Sequence, residues 1–255
     1  MVSIIVPFLD KGEYTIQLIE SFKRTNAGCD YEIIFVDNAS TDLSAREYLS
    51  DKENLIRNDG KQIDGHLIVN DENKGYSIAN NQGVSIADRK SKYLCFLNND
   101  ITVTDNWLGE MVRCMEEHDK ASVVGSKLLY PGTGQIQHAG VKEQTDFFPV
   151  HLYMKEDKDY PQANIEKKMF AVTGACMLID KDVFNEVHGF DEDYWCGWED
   201  IDLCNKVKKL GDEIWYTPKS VLYHYCGMTE GRQDGESGNF NLYMKKWVLD
   251  VDKVL

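Results

Sequence analysis

A short acidic stretch between Gly189 and Leu203 sets Glu199, Asp200 and Asp202 beside Tyr194, Trp195 and Trp198, with Asp191 and Asp193 upstream. Large rings beside a carboxylate lower the local dielectric and push its pKa up. A carboxylate tuned in that way can take a proton near neutral pH, as a general base does. A plain solvated acidic loop has no need of two tryptophans. The competing reading makes Trp195 and Trp198 ordinary core residues with the acidic groups solvated outside them.

Oxygen-bearing side chains also gather at four earlier places: Pro7 to Asp10, Asp37-Asn38-Ala39-Ser40, Asn70 to Gly75, and Asn98-Asn99-Asp100. Each falls where an apolar run ends. In open parallel sheets, ligands bind beyond the carboxyl ends of the strands. One strand-end Asp commonly caps a helix, but four such ends would converge on a single sheet edge. Asp100 could hold a hard divalent ion through oxygen and leave positions for ligand phosphates and water. Asn-Asn-Asp also makes a good turn. His224 suits Mn²⁺ better than Mg²⁺, though a lone histidine is more often structural. No Walker-type loop and no GxGxxG follows the first apolar run, so a phosphate here needs a metal rather than a glycine cradle.

The elements that would position these groups follow from periodicity. Continuous apolar runs predict buried strands at Val2–Phe8, Glu32–Asp37, His66–Asn70 and Tyr93–Leu97. Helical spacing predicts helices over 13–24 and 77–87, and Ser40, Thr41 and Asp42 offer N-caps for a helix reaching Leu49. Strand–helix alternation of this kind implies βαβ units and a parallel sheet, an α/β fold. Beyond residue 100 the pattern predicts a helix over Trp107–Glu117, a strand over Ser122–Tyr130 and a turn with a short hairpin over 132–141. Residues 147–166 read as irregular. An apolar strand at Phe170–Ile179, helices at 182–187 and 199–210, and two extended pieces at 214–217 and 221–223 complete this half. Residues 227–238 are rich in glycine and read as a mobile loop. Phe240, Tyr243, Met244, Trp247, Val248, Val251 and Val254 form an apolar stripe at helical spacing. It can pack on the domain, on a second subunit in a homodimer, or on a membrane surface.

The chain has 255 residues, enough for one large α/β domain. Its 28 Lys+Arg against 43 Asp+Glu give −15, which argues against nucleic acid as a partner. The seven cysteines are scattered with no CxxC pair, so reduced thiols in a cytoplasmic protein are the simpler account. The opening Val-Ser-Ile-Ile-Val-Pro has no signal-peptide pattern, and no apolar run approaches the ~20 residues of a membrane span.

Together these pieces resemble the family 2 glycosyltransferases, inverting enzymes of the GT-A fold. The resemblance runs over roughly residues 2–226. Val36-Asp-Asn-Ala-Ser-Thr-Asp42 and Asn73-Lys-Gly75 match that family's nucleotide-binding half, residues 1–100. Val172-Thr-Gly-Ala-Cys-Met-Leu178, Gly189-Phe-Asp-Glu192 and Trp198-Glu-Asp-Ile-Asp-Leu-Cys204 match its acceptor half, residues 101–226. Residues 227–255 would add the loop and a C-terminal amphipathic helix. Gln135-Ile-Gln-His-Ala-Gly140 is similar to a segment of bacterial members resembling rhamnosyl- and galactosyltransferases. Asn98-Asn-Asp100 stands at the Asp-x-Asp metal motif, with Asn98 in place of its first Asp.

What the resemblance implies is specific. Asp37 would bind the base, with Pro7, Asp10 and Asn38 around base and ribose. Asn73, Gly75, Asn98 and Asn99 would lie along the donor, a UDP, dTDP or GDP sugar. Asp100 would hold Mn²⁺ or Mg²⁺, completed by His224. Gly174 and Ala175 would let backbone approach the sugar. Asp200 would be the general base with Glu199 beside it, and Trp198 would wall the pocket. The acceptor would be a glycan, lipid-linked or protein-linked, in bacterial surface polysaccharide or glycoconjugate synthesis. The enzyme would work in the cytoplasm or at the inner face of the plasma membrane. Two other readings stand beside this one. A nucleotidyltransferase would want a basic Gly-rich segment, for which Asp10-Lys-Gly12 is a poor substitute. A silent carbohydrate-binding domain would not need the Glu199–Asp200 pair.

Overall fold

Burial follows the apolar runs. Strand β1 (Val2–Phe8) is almost wholly buried, as are β2 (Tyr31–Asp37) and β4 (Tyr93–Leu97). Strand β3 (Asp64–Val69) is the exposed edge. The computed structural model describes residues 1–143, 148–226 and 236–249. The four strands pair in parallel in the order β3-β2-β1-β4, so their carboxyl ends share one edge. Pro7 sits in a central strand without harm. The β1–β4 ladder covers Val2 to Ile5 and stops before it, so no bond is lost for want of its N–H.

The helices of this half are α1 (Gly12–Arg24), α2 (Ser44–Ser50) and α3 (Gly75–Ser85). Alternation along the strands divides the core in two. Ile4 and Val6 pack with Leu18, Ile19 and Phe22 of α1 on one face. Ile5 packs with Ala79 of α3 on the other.

The sheet then continues past β4. Strands β5 (Ile101–Thr102), β6 (Ala121–Leu129) and β7 (Ile136–His138) come next, with α4 (Trp107–Glu117) between the first two. A separate ribbon pairs β8 (Val141–Glu143) with β9 (Pro149–His151). Strand β10 (Lys167–Met169), β11 (Cys176–Asp180), α5 (Lys181–Glu186), α6 (Glu199–Lys209) and β12 (Glu213–His224) follow. The main sheet reads β10-β12-β6-β11-β4-β1-β2-β3. Strand β11 runs antiparallel to both β4 and β6, so this half is mixed. Helix α7 (Glu236–Tyr243) and a π-helical turn over Met244–Val248 end the described chain.

Several boundaries differ from expectation for identifiable reasons. Helix α2 starts at Ser44, whose N–H donates to Asp42 Oδ1 at 3.0 Å, while Ser40 is spent on another loop. Ser40 Oγ accepts from Asp10 N at 2.8 Å, and Asp42 Oδ2 from Gly12 N at 2.8 Å. The strand expected over 170–179 is broken. Only Cys176–Asp180 joins the sheet, and the Thr173-Gly174-Ala175 turn leaves it for contacts described below. The two extended pieces at 214–217 and 221–223 are one strand, β12, with an irregularity at Pro218 where the ladder lacks a donor. The apolar stripe of α7 packs on its own chain: Tyr243 is buried, with Leu242, Met244, Trp247 and Val248 against the same core layer. Val251, Val254 and most of the 227–238 segment lie outside the described residues. Among the described residues no helix is long and apolar enough to cross a membrane, and none of the seven cysteines forms a disulfide.

Candidate active site

Three of the strand-end clusters hold one another, and the fourth, Asn98-Asn99-Asp100, is held by Ala175 and Thr15. Asp10 has a left-handed backbone, φ 52°. Its Oδ1 accepts from Asp42 N at 2.8 Å and from Thr41 N at 2.6 Å. The Asp42 N–H, the largest influence, holds the Asp10 carboxyl below its ordinary range. Asp37 is fully buried. It accepts from Ser40 N at 2.8 Å and pairs with Arg46, so its charge is fixed toward the loop after β2. Asn38 acts as a latch. Its Nδ2 donates to Asn73 Oδ1 at 2.7 Å, and its Oδ1 accepts from Asn70 Nδ2 and Lys74 N, both at 3.0 Å. Asn73 Oδ1 also accepts from Gly75 N at 3.0 Å.

Gly75 begins α3 at φ 79°, and a Cβ there would lie 2.7 Å from the Trp195 carbonyl oxygen. The close approach is therefore to the 195–198 loop, whose Trp195 oxygen accepts from Tyr76 N at 2.7 Å. Tyr76 bridges the halves: its hydroxyl donates to Gly174 O at 2.8 Å. Burial first, then the Glu199 and Asp200 charges, hold that phenol well above its ordinary pKa, so it stays a donor.

The Thr173–Ala175 turn gathers the second half. Gly174 N donates to Asp200 Oδ2 at 2.9 Å, and Ala175 O accepts from Asn98 N at 3.0 Å. A side chain at 174 would crowd Tyr76 Oη and Asp200 Cβ, 3.1 and 3.5 Å from its Cβ. Asp200 Oδ1 accepts from Ile201 N at 2.8 Å. Glu199 beside it is buried. Both sit in the first turn of α6, where the helix dipole favours negative charge. Trp198 enters that helix at φ 76°, a left-handed conformation a bulky residue holds only when its surroundings impose it. Its ring packs on Phe240 and Tyr243 of α7, with centroids 5.2 and 4.9 Å away. Trp195 is 42% exposed. Asp202 turns away from Asp200. It is fully buried and accepts from Trp247 Nε1 at 2.7 Å, with Lys246 and Lys206 as counter-ions.

Asp100 and His224 form the candidate metal centre. His224 Nε2 lies 3.0 Å from Asp100 Oδ1, yet that buried oxygen has no aligned hydrogen-bond donor. Two ligands at right angles about Mn²⁺ or Mg²⁺ would stand about 3 Å apart, given bonds of about 2.1 Å. The donor set, one carboxylate oxygen and one imidazole, suits Mn²⁺. Asn98 turns its amide nitrogen toward His224 Nε2 at 3.4 Å, and Asn99 donates to Thr15 at 3.1 Å. Of the residues expected at the metal motif, Asp100 is the one that sets an oxygen beside the His224 imidazole.

Sequence reasoning passed over Tyr76, Arg46, Gln137 and Asn239. Tyr76 follows Gly75 directly, and Gln137 lies inside the 135–140 segment. Arg46 and Asn239 carry no local signal. Asn239 is buried on α7, and its Nδ2 donates to the Cys196 and Gly197 carbonyls at 2.8 and 3.0 Å.

Residues 3–187 match the family described as glycosyl transferase family 2, and residues 157–229 match one described as N-terminal domain of galactosyltransferase. The O-antigen biosynthesis protein RfbC of Myxococcus xanthus is 29% identical over 232 residues, 88% of this chain and 17% of that one. A protein of Sinorhizobium fredii is 30% identical over 92% of this chain and 25% of its own length. The chain thus spans a quarter or less of those two relatives. Rhamnosyltransferase WbbL of Escherichia coli is 25% identical over 89% of this chain and 84% of its own. Among solved structures, GalNAc-T7 with UDP, GalNAc and Mn²⁺ superposes with a TM-score of 0.68 at 16% identity, covering 96% of this chain and 50% of that one. The mannosyltransferase PcManGT of Pyrobaculum calidifontis, in complex with GDP-Man and Mn²⁺, gives 0.63 at 16% identity, with 91% and 59% covered. At such identities the likeness carries the fold, which is GT-A.

Proposed function

The chain belongs to glycosyl transferase family 2, and on that premise we propose that it is an inverting, metal-dependent glycosyltransferase. It moves a sugar from a nucleotide-diphosphate donor to an acceptor hydroxyl, in synthesis of a bacterial surface polysaccharide or glycoconjugate. The observation that carries this reading is the Gly174–Ala175 pair. One residue fixes Asp200 and the next fixes Asn98, two positions before Asp100. The proposed base and the proposed metal ligand are thereby anchored to one turn.

Asp200 takes the proton from the acceptor hydroxyl as that oxygen bonds to the anomeric carbon. The bond from that carbon to the diphosphate oxygen breaks on the opposite face, and the nucleoside diphosphate leaves. One base suffices for inversion. Gly174 N and Ile201 N each donate to a different oxygen of Asp200, which fixes the carboxylate plane without a rotamer search. Asp100 and His224 would hold Mn²⁺ or Mg²⁺, whose charge offsets that of the leaving diphosphate. Asp37, Asp10, Asn38 and Asn73 shape the cleft for the base and ribose by locking three strand-end loops together. Trp195, exposed above Gly75, offers a ring face toward acceptor sugar.

A hydrolysis panel tests this. UDP-, dTDP- and GDP-sugars are incubated with the protein and Mn²⁺ or Mg²⁺, and free nucleoside diphosphate is measured. Slow cleavage of one donor, dependent on metal and lost in Asp100→Ala, is expected. Equal rates with and without metal would remove the metal from the reading.

A further inference from the structure

Gln137 lies on β7, buried at 7% exposure, and none of the roles above uses it. Its side chain grips His224 twice. Gln137 Nε2 donates to the His224 carbonyl oxygen at 3.1 Å, and Gln137 Oε1 faces His224 Nδ1. These contacts fix each other's chemistry. A carbonyl oxygen only accepts, so the amide nitrogen must face it. The amide oxygen then faces Nδ1, and an amide oxygen only accepts, so Nδ1 carries the proton. In neutral imidazole that leaves a lone pair on Nε2.

Nε2 lies 3.0 Å from Asp100 Oδ1, a buried oxygen with no aligned donor, so the ring nitrogen's lone pair is directed past that oxygen rather than at it. Two acceptors stand side by side, and a cation between their lone pairs, or a proton on Nε2, would relieve them. Asn98 Nδ2 approaches Nε2 from the side at 3.4 Å, a weak contact that a cation can displace.

We propose that Gln137 is a positioning residue for the metal centre. It selects the His224 tautomer whose Nε2 is free to ligate and holds the ring so that this lone pair and Asp100 Oδ1 aim at one point. This inference rests on the Asp100–His224 metal reading above. Second-shell partners of a ligating histidine act in this way, by fixing tautomer and ring orientation.

The test is Mn²⁺ titration of the whole chain, read by loss of the free-ion EPR signal, in the presence of UDP, GDP and dTDP in turn. The parent is expected to bind Mn²⁺ with one of these nucleotides. Gln137→Leu should weaken that binding by about 10- to 100-fold. Gln137→Glu, which still accepts from Nδ1–H, should bind more tightly than the leucine variant. In a His224→Ala background, Gln137→Leu should change Mn²⁺ affinity little, because the effect runs through the imidazole. Where the leucine variant does not fold, Gln137→Asn, too short to reach both His224 atoms, replaces it. Parent protein that binds no Mn²⁺ would defeat the metal reading itself. Parent that binds while Gln137→Leu binds equally well overturns the role of Gln137. So does an equal loss in the His224→Ala background, which would mark a general structural effect.

Discussion

Asn239 Nδ2 donates to the Gly197 carbonyl at 3.0 Å, which ties helix α7 to the loop presenting Glu199 and Asp200. The same nitrogen reaches Cys196 O at 2.8 Å, and Asn239 Oδ1 accepts from Trp195 N at 3.3 Å. One buried amide therefore sets the backbone of three consecutive residues before the left-handed Trp198. Asn239→Ala should lower turnover by at least roughly tenfold through loss of base placement, while nucleotide affinity stays at the parental value. A kcat measured beside a nucleotide binding titration checks this. A variant that loses only nucleotide binding would contradict it.

Asp200→Asn keeps the shape of the side chain and removes its basicity. Transfer should fall by about 10²–10⁴-fold, with Mn²⁺-dependent nucleotide binding retained. Turnover near the parental rate would take the base role away from Asp200.

Gly75→Ala strains the chain twice. The backbone is at φ 79°, and the new Cβ would lie 2.7 Å from the Trp195 carbonyl oxygen. A loss of about 1–3 kcal/mol is expected. Thermal unfolding measures it, and the fluorescence of Trp195 should shift in the folded state as its loop is pushed away. An unchanged midpoint would show that the loop yields freely.

Glu166 supplies a pH dependence away from the site. Burial alone would raise its pKa, but hydrogen bonds from Arg113 first, then Thr217 and His118, hold it at about 2 against an ordinary 4.5. A carboxyl depressed on folding stabilises the protein above its unfolded pKa, and that contribution is lost as pH falls from about 4.5 toward 2. Glu166→Gln should therefore be less stable than the parent at pH 7, and the difference should shrink on acidification through that window. Denaturant unfolding at several pH values checks the sign.

Asp202 holds the π-helical turn that follows α7 through Lys246 and Trp247 while lying fully buried. Removing one partner of a buried pair costs about 3–5 kcal/mol. Asp202→Ala should speed hydrogen exchange over residues 238–249 more than over β1 or β4. Uniform protection in both variants would show that α7 docks by apolar packing alone.

Much of the frame was legible in the sequence. The runs at Val2–Phe8 and Tyr93–Leu97 could only be buried strands, and the amphipathic period of α1 needed no partner to be read. Asp200 and Asp202 meet different partners, Gly174 and Trp247, because a helix sends positions two apart to different faces. Residues 170–175 misled, since their apolar composition fits a strand equally well. Their ladder bonds are replaced by Tyr76 Oη on Gly174 O and by Asp200 on Gly174 N, partners that no local pattern reveals. Ser40 misled likewise, since it serves the 10–12 loop across a gap of 30 positions. Asp42 serves both, with one oxygen on Ser44 N and the other on Gly12 N.

Most strands and helices, and the strand ends that carry oxygen, can be read along the chain, because burial periodicity is a property of neighbours. Which of those groups face one another is set by the fold. Gly174 meets Asp200 across 26 positions, Asn239 meets Gly197 across 42, and Gln137 meets His224 across 87. None of these pairings follows from local spacing. Hydrogen-bond direction then does the rest, setting the Gln137 amide oxygen on His224 Nδ1 and the Gly174 and Ile201 N–H groups on Asp200, which residue identity alone does not reveal.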